Sequence, residues 1–381
     1  MQVALALLIL IASFTSGCAS WKGSVRNPEP ELSRTWVRST LQQENLSFRK
    51  INRARPILID NLVIQANGMD GIKAYDRTTG ASQWQFLVEN GVESSPAVIR
   101  DRLFFAGNDG VVYSVDGKTG DLVWKFETKF ENLGEPRLHD GVLYFITGAN
   151  VVFALDASNG KQLWVFAKQD TSNFSVRGGA RPTFYKDLVY VGFSDGSVVA
   201  LGNKTGAIKW EVLLNRNKRF RDIDANLILD NDQLLVAGFD DKLYALAPNT
   251  GEMKWKLDGG SYSGPSISDK LIFYPTTQKE VWALDRKTGQ RIWTFKDVRG
   301  LASEIAVFDK FISFGESQGG IVLLDMESGK FIDRFEPGRG VLSPLSVDPA
   351  KNEIYFVSGE ANLYKINVRS NNGSDWPIVN R

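Results

Sequence analysis

The sequence is poor in the residues that build metal centres and covalent chemistry. Its 381 residues include one histidine, His139, and one cysteine, Cys18. A single cysteine excludes an intrachain disulfide and a cysteine-based zinc site, and a single histidine excludes a histidine-rich metal centre. Neither sign of charge is in excess: 45 Lys+Arg stand against 44 Asp+Glu, a formal net charge of +1. A broad nucleic-acid-binding face would carry a basic surplus. Proline is scarce at 13, whereas glycine reaches 35 and tryptophan 10, a balance that fits a β-rich repeat better than a helical fold.

The apolar run Val3 to Ala12 is half the roughly 20 residues that a membrane-spanning helix takes. It fits the core of a secretory signal peptide over residues 1–17. Thr15, Ser16 and Gly17 lead into Cys18. This resembles a bacterial lipobox, in which the cysteine is acylated, with palmitate among the chains, and becomes the first mature residue. Thr15 departs from the usual leucine of that motif. No lysine or arginine precedes the apolar run, which leaves the translation start open. Several acyl chains anchor stably where one binds only marginally. By resemblance to lipoprotein sorting, Ala19 after the cysteine implies the outer membrane. Residues 18–30 are then a lipidated cysteine and polar tether.

The rest is a repeat. Segments such as Ala74-Tyr-Asp-Arg-Thr-Thr-Gly80 with Trp84, and Ala283-Leu-Asp-Arg-Lys-Thr-Gly289 with Trp293, recur seven times. The turn glycines are Gly80, Gly120, Gly160, Gly206, Gly251, Gly289 and Gly329, spaced 38 to 46 apart. About 40–45 residues make one four-stranded propeller blade. The second unit shows the strands at 96–99, 102–107, 111–116 and 121–127, with Asn108-Asp-Gly110 as a hairpin signal. Trp84, Trp124, Trp164, Trp210, Trp255 and Trp293 are expected between neighbouring blades, as apolar plates that fix their spacing. Asp333 replaces the tryptophan in the seventh unit.

An eighth unit has strands near 342–347, 353–358 and 362–368 but no fourth, while Arg34-Thr-Trp-Val37 stands alone before the first unit. The expected fold is all-β: an eight-bladed propeller over 31–370, its last blade closed by the N-terminal strand, with residues 371–381 as a tail. Seven blades with extra N-terminal structure is the competing closure.

The Ala-Leu-Asp-x-x-Thr-Gly-x-x-x-Trp unit resembles the PQQ-type (pyrroloquinoline quinone) propeller repeat over nearly all of the mature chain. That repeat serves both quinoprotein dehydrogenases and non-catalytic propellers. Among the latter, the cysteine, eight units, tether and closing strand resemble the BamB family, lipoproteins of the outer-membrane β-barrel assembly (BAM) machinery. Dehydrogenases of the methanol type use a vicinal cysteine pair, which one cysteine cannot supply. Aspartates that recur from blade to blade in turns are scaffold, since one catalytic centre has no use for a copy in most of the blades. Thus no catalytic residue, cofactor or metal is expected. His139 is expected to be a surface residue in a turn before a strand.

Function is sought where the repeat breaks. Trp84 to Pro96 and Trp124 to Pro136 are each 12 residues, but Trp164 to Pro182 is 18, and the connection after Trp210 is also long. Both additions fall in blade-to-blade connections, between blades three and four and between four and five, and so on one face. Apolar groups beside Arg and Asp suit a protein-binding hot spot, although long loops also simply drift. BamB proteins carry Leu-Ser-Leu-Arg-Gly and Asp-x-Asp stretches here that bind the periplasmic POTRA domain of BamA. The first matches Phe174-Ser-Val176-Arg177-Gly178, with both leucines changed but still apolar. The second matches Asp222-Ile223-Asp224. The basic run Arg216, Lys218, Arg219 and Arg221 has no counterpart in this comparison.

The resemblance therefore implies a non-catalytic periplasmic scaffold that acts as a monomer with BamA and other BAM members. Unfolded outer-membrane proteins are further candidates for its partners. A PQQ-dependent dehydrogenase, or a propeller that binds another periplasmic protein or a glycan, stays open at this point.

Overall fold

The computed structural model describes residues 30–42, 52–130, 134–168, 181–214, 223, 225–238 and 242–370. In the first unit, strands Ile57–Ile59, Leu62–Asn67, Gly71–Asp76 and Ser82–Leu87 pair antiparallel in chain order. The pattern repeats in six further sheets that span residues 97–127, 137–167, 183–213, 228–258, 266–295 and 306–335. The eighth sheet takes Ser346–Asp348, Glu353–Val357 and Asn362–Ser370 from the C-terminal end and Pro30–Ser39 from the N-terminal end. The expected eight-bladed propeller with N-terminal closure is the observed fold.

The repeat motif has a geometric cause. In each of the first six blades, a small residue on the third strand faces the tryptophan on the fourth: Ala74 opposite Trp84, Ser114 opposite Trp124, Ala154 opposite Trp164. The register shifts directly after this pair, where the Thr-Gly turn begins. A small partner leaves the indole free to lean onto the next blade. There, in five of the six, its Nε1 donates to the start of that blade's turn, as from Trp84 to Gly117 O at 3.2 Å, Trp124 to Ala157 O at 3.1 Å and Trp164 to Asn203 O at 2.7 Å, whereas Trp255 donates to Gln233 Oε1 of its own blade. The same turn's glycine lies under the ring. A Cβ on Gly120 or Gly160 would sit 2.7 Å from Trp84 or Trp124, and both glycines have φ near +75° to +80°. Glycine is needed there for close approach and for its left-handed backbone.

In five of the seven units an aspartate works inside that turn; the fourth and fifth units have Gly202 and Ala247 in its place. Asp76 Oδ1 accepts from the backbone N–H groups of Thr78 and Thr79 and from the Thr79 hydroxyl. The Thr79 backbone bond is the largest of the effects that hold the Asp76 carboxyl below its ordinary range. Asp156 and Asp285 repeat the arrangement. These are scaffold carboxylates, as their recurrence implied.

The apolar core is divided among the seams. Eight buried clusters each join two adjacent blades, such as Ile64, Ala66 and Ala74 with Leu103, Phe105 and Val115. The closing seam follows the same rule: Trp36 is 7% exposed, donates Nε1 to Arg77 O at 3.1 Å, and packs over Gly80. It is the repeat's tryptophan, delivered from the other end of the chain. Where Asp333 replaces tryptophan, the next blade has no Thr-Gly turn to cover, because its third and fourth strands come from opposite termini. Asp333 Oδ2 instead accepts the Leu32 N–H at 2.6 Å and holds the incoming strand.

The closing seam also buries charge. The Arg77 guanidinium pairs with Asp348 and with Glu353 at 2.9 Å, and Lys365 pairs with Glu353 at 2.7 Å. His139 departs from its expected setting: it ends strand Arg137–His139 and stacks on Phe184 of the next blade at 4.5 Å and 5°. The first strand ends at this repeat position in the neighbouring blades too, at Ile99 and Tyr185, so His139 is strand and its flat ring covers an aromatic neighbour across the seam.

Candidate functional site

Strand direction sorts the loops onto two faces. The Thr-Gly turns and the turns between first and second strands lie on one face. The blade-to-blade connections and the turns between second and third strands lie on the other. Both long connections therefore open on this second, connection face. Phe174, Val176, Arg177, Asp222 and Asp224, proposed from sequence as partner-binding, lie outside the described residues, as does Cys18. The structure describes what holds the ends of the two stretches.

Those ends meet on one turn of the fourth blade. Lys168, where the first stretch leaves the third blade, pairs with Asp195 at 3.0 Å and lies over the Phe193 ring at 5.3 Å. Ile223, the middle residue of the Asp-x-Asp stretch, is fully buried and donates its backbone N–H to Phe193 O at 3.2 Å. Gly192 makes the approach possible, since a Cβ there would lie 2.5 Å from the Ile223 side chain. Ile223 itself is thus held by an apolar side chain and one backbone bond.

The ends also meet on the ring axis. Arg181 and Asn226 begin the chain's return into the fourth and fifth blades. Arg181 donates Nη2 to both oxygens of Glu304, at 3.1 and 3.0 Å, and Nη1 to Glu135 at 3.1 Å. Asn226 Nδ2 donates to Glu304 Oε2 at 3.1 Å, and Arg55 Nη2 to Oε1 at 2.6 Å. Glu304 belongs to the approach to the seventh blade. In a ring of eight, only the axis lets blades four and seven touch. One carboxylate therefore gathers groups from blades one, four and five. Burial alone would raise the Glu304 pKa, but Arg55 and Arg181 outweigh it and hold the carboxyl at about 2. Glu135 and Glu304 likewise overcome the burial of Arg181 and hold it firmly protonated.

A cavity of about 520 Å³ continues along the axis from this cluster, lined by Arg55, Glu304 and inner-strand residues such as Leu58, Ser266, Val307 and Ser346.

Sequence reasoning missed this cluster, although a signal for it existed. Arg55, Ser95, Glu135, Arg181, Asn226, Gly264 and Glu304 each stand 25 residues before their unit's turn glycine. They are one repeat position, occupied by charges of both signs. A position that is equivalent in every blade and points at the axis can pair across the ring.

A family model described as "Outer membrane protein assembly factor BamB" matches residues 68–295, more than half of the chain. Relatives of that description include one from Legionella pneumophila (strain Paris), 28% identical over 140 residues that cover 35% of this chain and 36% of that protein. Another, from Xanthomonas campestris pv. campestris, is 27% identical over 135 residues, 34% of this chain and 33% of the relative. The aligned segments thus span about a third of these relatives' length. Among solved structures, BamB from Moraxella catarrhalis superposes with a TM-score of 0.74 at 21% identity, over 88% of this chain and 99% of that one. Quinohemoprotein alcohol dehydrogenase from Comamonas testosteroni reaches 0.72 at 15% identity, over 88% of this chain and 76% of that one. At such identities the superpositions establish the propeller alone; the family model establishes more. By that match, the chain belongs to the BamB family of outer membrane protein assembly factors.

Proposed function

We propose that this protein is a non-catalytic scaffold of outer-membrane protein assembly, held at the periplasmic face of the outer membrane by a lipid on Cys18. Its partner is the POTRA region of BamA, within a complex of further BAM members. Phe174, Val176 and Arg177 from one connection and Asp222 and Asp224 from the next form the contact. The observation that carries this reading is the shared anchoring of the two stretches, on the Phe193 turn and on Glu304. Elements held to common supports present their side chains as one preorganised surface, which lowers the cost of binding. The turn aspartates are engaged by their own backbones, and the axial carboxylates Glu135 and Glu304 by guanidiniums. Neither set is thereby disposed to cradle a cation beside a quinone, which weighs against the dehydrogenase alternative.

Arg177→Glu, or the pair Asp222→Lys/Asp224→Lys, should weaken POTRA binding by about 2 kcal/mol or more, roughly thirtyfold, as hot-spot residues do. Titration calorimetry with the purified POTRA domain measures this, and circular dichroism confirms folding. Lys161→Glu is the control: it directly follows the third blade's Asn159-Gly160 turn, the counterpart of the Thr-Gly turns, on the opposite face. Lys118, in the equivalent turn one blade earlier, is less suitable because it bridges Asp60 and Asp101 across a seam, at 3.3 and 2.9 Å. Wild-type affinity in both loop variants would remove the site assignment.

Cys18→Ser should shift the protein out of the membrane fraction and abolish labelling by radioactive palmitate. A wild-type chain that takes no label, and a variant that partitions as before, would contradict the anchor.

A further inference from the structure

One repeat position fails to cover its seam. The residue 21 before each turn glycine closes its blade's first strand, and in four blades it reaches the next blade. Ile59 lies 2.7 Å from where a Cβ on Gly117 would stand, and His139 stacks on Phe184. Asp230 pairs with Arg286 at 2.6 Å, and Phe308 is buried with Leu345 and Ile354. In the sixth blade this position is Ser268. Its short side chain turns back on its own hairpin, where the hydroxyl oxygen accepts the Leu271 N–H at 3.1 Å. The turn after it also differs. Asp60, Asp140, Asn231 and Asp309 have φ of 47° to 51° at the next position, whereas Asp269 is not left-handed. Arg286 Nη1 instead donates to the Ser268 and Asp269 carbonyls, at 3.1 and 3.2 Å.

The space that Ser268 leaves is a cavity of about 630 Å³ between blades six and seven, on the face of the Thr-Gly turns. Leu271, Val307, Phe308 and Met326 give it an apolar floor. Its rim carries Asp269, Asp309 and Glu327 against Lys270 alone. The three carboxylates are exposed, and among the described residues none makes an ion pair or accepts a hydrogen bond on its side chain. Lys310, beside Asp309, is turned over the Phe311 ring at 5.4 Å. An apolar notch takes a large side chain of a partner as its anchor, since that removes both surfaces from water. A rim with three unpaired carboxylates selects what flanks the anchor: cations are favoured there and further carboxylates repelled.

We infer that the notch between the sixth and seventh blades docks a protein segment in which an aromatic side chain is flanked by Lys or Arg. The aromatic ring enters the space beside Ser268 and Met326, and the flanking cations meet Asp269, Asp309 and Glu327. The notch lies on the face opposite the two long connections. It therefore does not depend on the reading of those stretches, and both faces can be occupied at once.

The test is a nuclear magnetic resonance titration of the full Cys18→Ser chain, labelled with carbon-13 at the methionine methyls. Met326 is one of four methionines, and its signal is assigned by its loss in Met326→Leu. The probes are capped pentapeptides: Lys-Lys-Phe-Lys-Lys, its Glu-flanked counterpart, and a Lys-flanked version with Ser in place of Phe. In low salt the first should shift the Met326 signal saturably, and the other two should bind about tenfold more weakly or not at all. Ser268→Ile, which puts the side chain of Ile59 into the notch, should stay folded by circular dichroism and lose about tenfold or more in affinity. Asp309→Asn/Glu327→Gln leaves the notch open. It should weaken the Lys-flanked peptide several-fold and narrow its advantage over the Glu-flanked one. Lys161→Gln, three blades away on the same face, should bind as the parent chain does. A Lys-flanked peptide that leaves the Met326 signal unmoved would overturn the inference. So would equal binding of the Glu-flanked peptide, or unchanged affinity in either Ser268→Ile or the double charge variant.

Discussion

Deletion of residues 19–40 is expected to unfold the ring at temperatures where deletion of 19–28 leaves it intact. The longer deletion removes strand Pro30–Ser39, which pairs with Asn362–Ser370 along its whole length. Trp36 goes with it, together with its bond to Arg77 O and its contact with Tyr355 at 6.1 Å. So do the Arg38 bonds to Gly80 O and Thr79 O at 2.9 and 2.7 Å, which tie the last blade to the first. Loss of one buried aromatic costs about 3–5 kcal/mol against alanine. A whole domain commonly has only about 5–15 kcal/mol of stability. The deletion would further expose the Asn362–Ser370 edge and remove the Leu32 N–H that donates to Asp333 Oδ2. Trp36→Ala alone should lower the melting temperature clearly, by less than the deletion. Equal melting of the two truncations, followed by circular dichroism, would show that the N-terminal strand does not close the ring.

Glu304→Ala should be the most damaging single change on the axis. It leaves Arg55 and Arg181 close together without their shared counter-charge, and removing one partner of a buried pair costs about 3–5 kcal/mol. Glu304→Gln keeps the shape and one accepting oxygen, but loses the charge and turns the other oxygen into a donor that faces donors, and it should still cost less than alanine. The wild-type carboxyl titrates at about 2 in place of its ordinary 4.5. A carboxyl whose folded pKa is depressed contributes fully above its unfolded pKa and loses that contribution as pH falls towards the folded value. The stability gap between wild type and Glu304→Gln should therefore be widest above about pH 5, and narrow as pH drops from about 4.5 towards 2. Urea titrations at several pH values read this directly. A gap that stays constant over the acid range would show that the charge of Glu304 is not what holds the axis.

The repeat made the propeller legible because every blade solves the same local problem. Ala74 with Trp84 and Asp76 with Thr79 are short-range solutions, so their spacing announces blade number and strand order. Trp36 was legible as the closing strand because it repeats that signature out of place. Asp333 was visible as an exception, but its role was not. Its partner, Leu32, lies at the other end of the chain, and no local pattern records that pairing. The axial cluster escaped for a related reason: Glu304 is bonded to Arg55, Arg181 and Asn226, each far off in sequence. Ring geometry brings them together, and it becomes available only once the blade count is known. His139 sat in what read as a turn, and its stack on Phe184 depends on the neighbouring blade's register.

The central claim is that this propeller works as a scaffold through the two stretches on its connection face. Co-purification of the tagged full-length chain from detergent-solubilised membranes tests it most directly. The account predicts BamA in the wild-type eluate, and its marked loss with Arg177→Glu and with Asp222→Lys/Asp224→Lys under the same detergent and salt. An eluate without BamA that instead shows the absorbance of a bound quinone would contradict it.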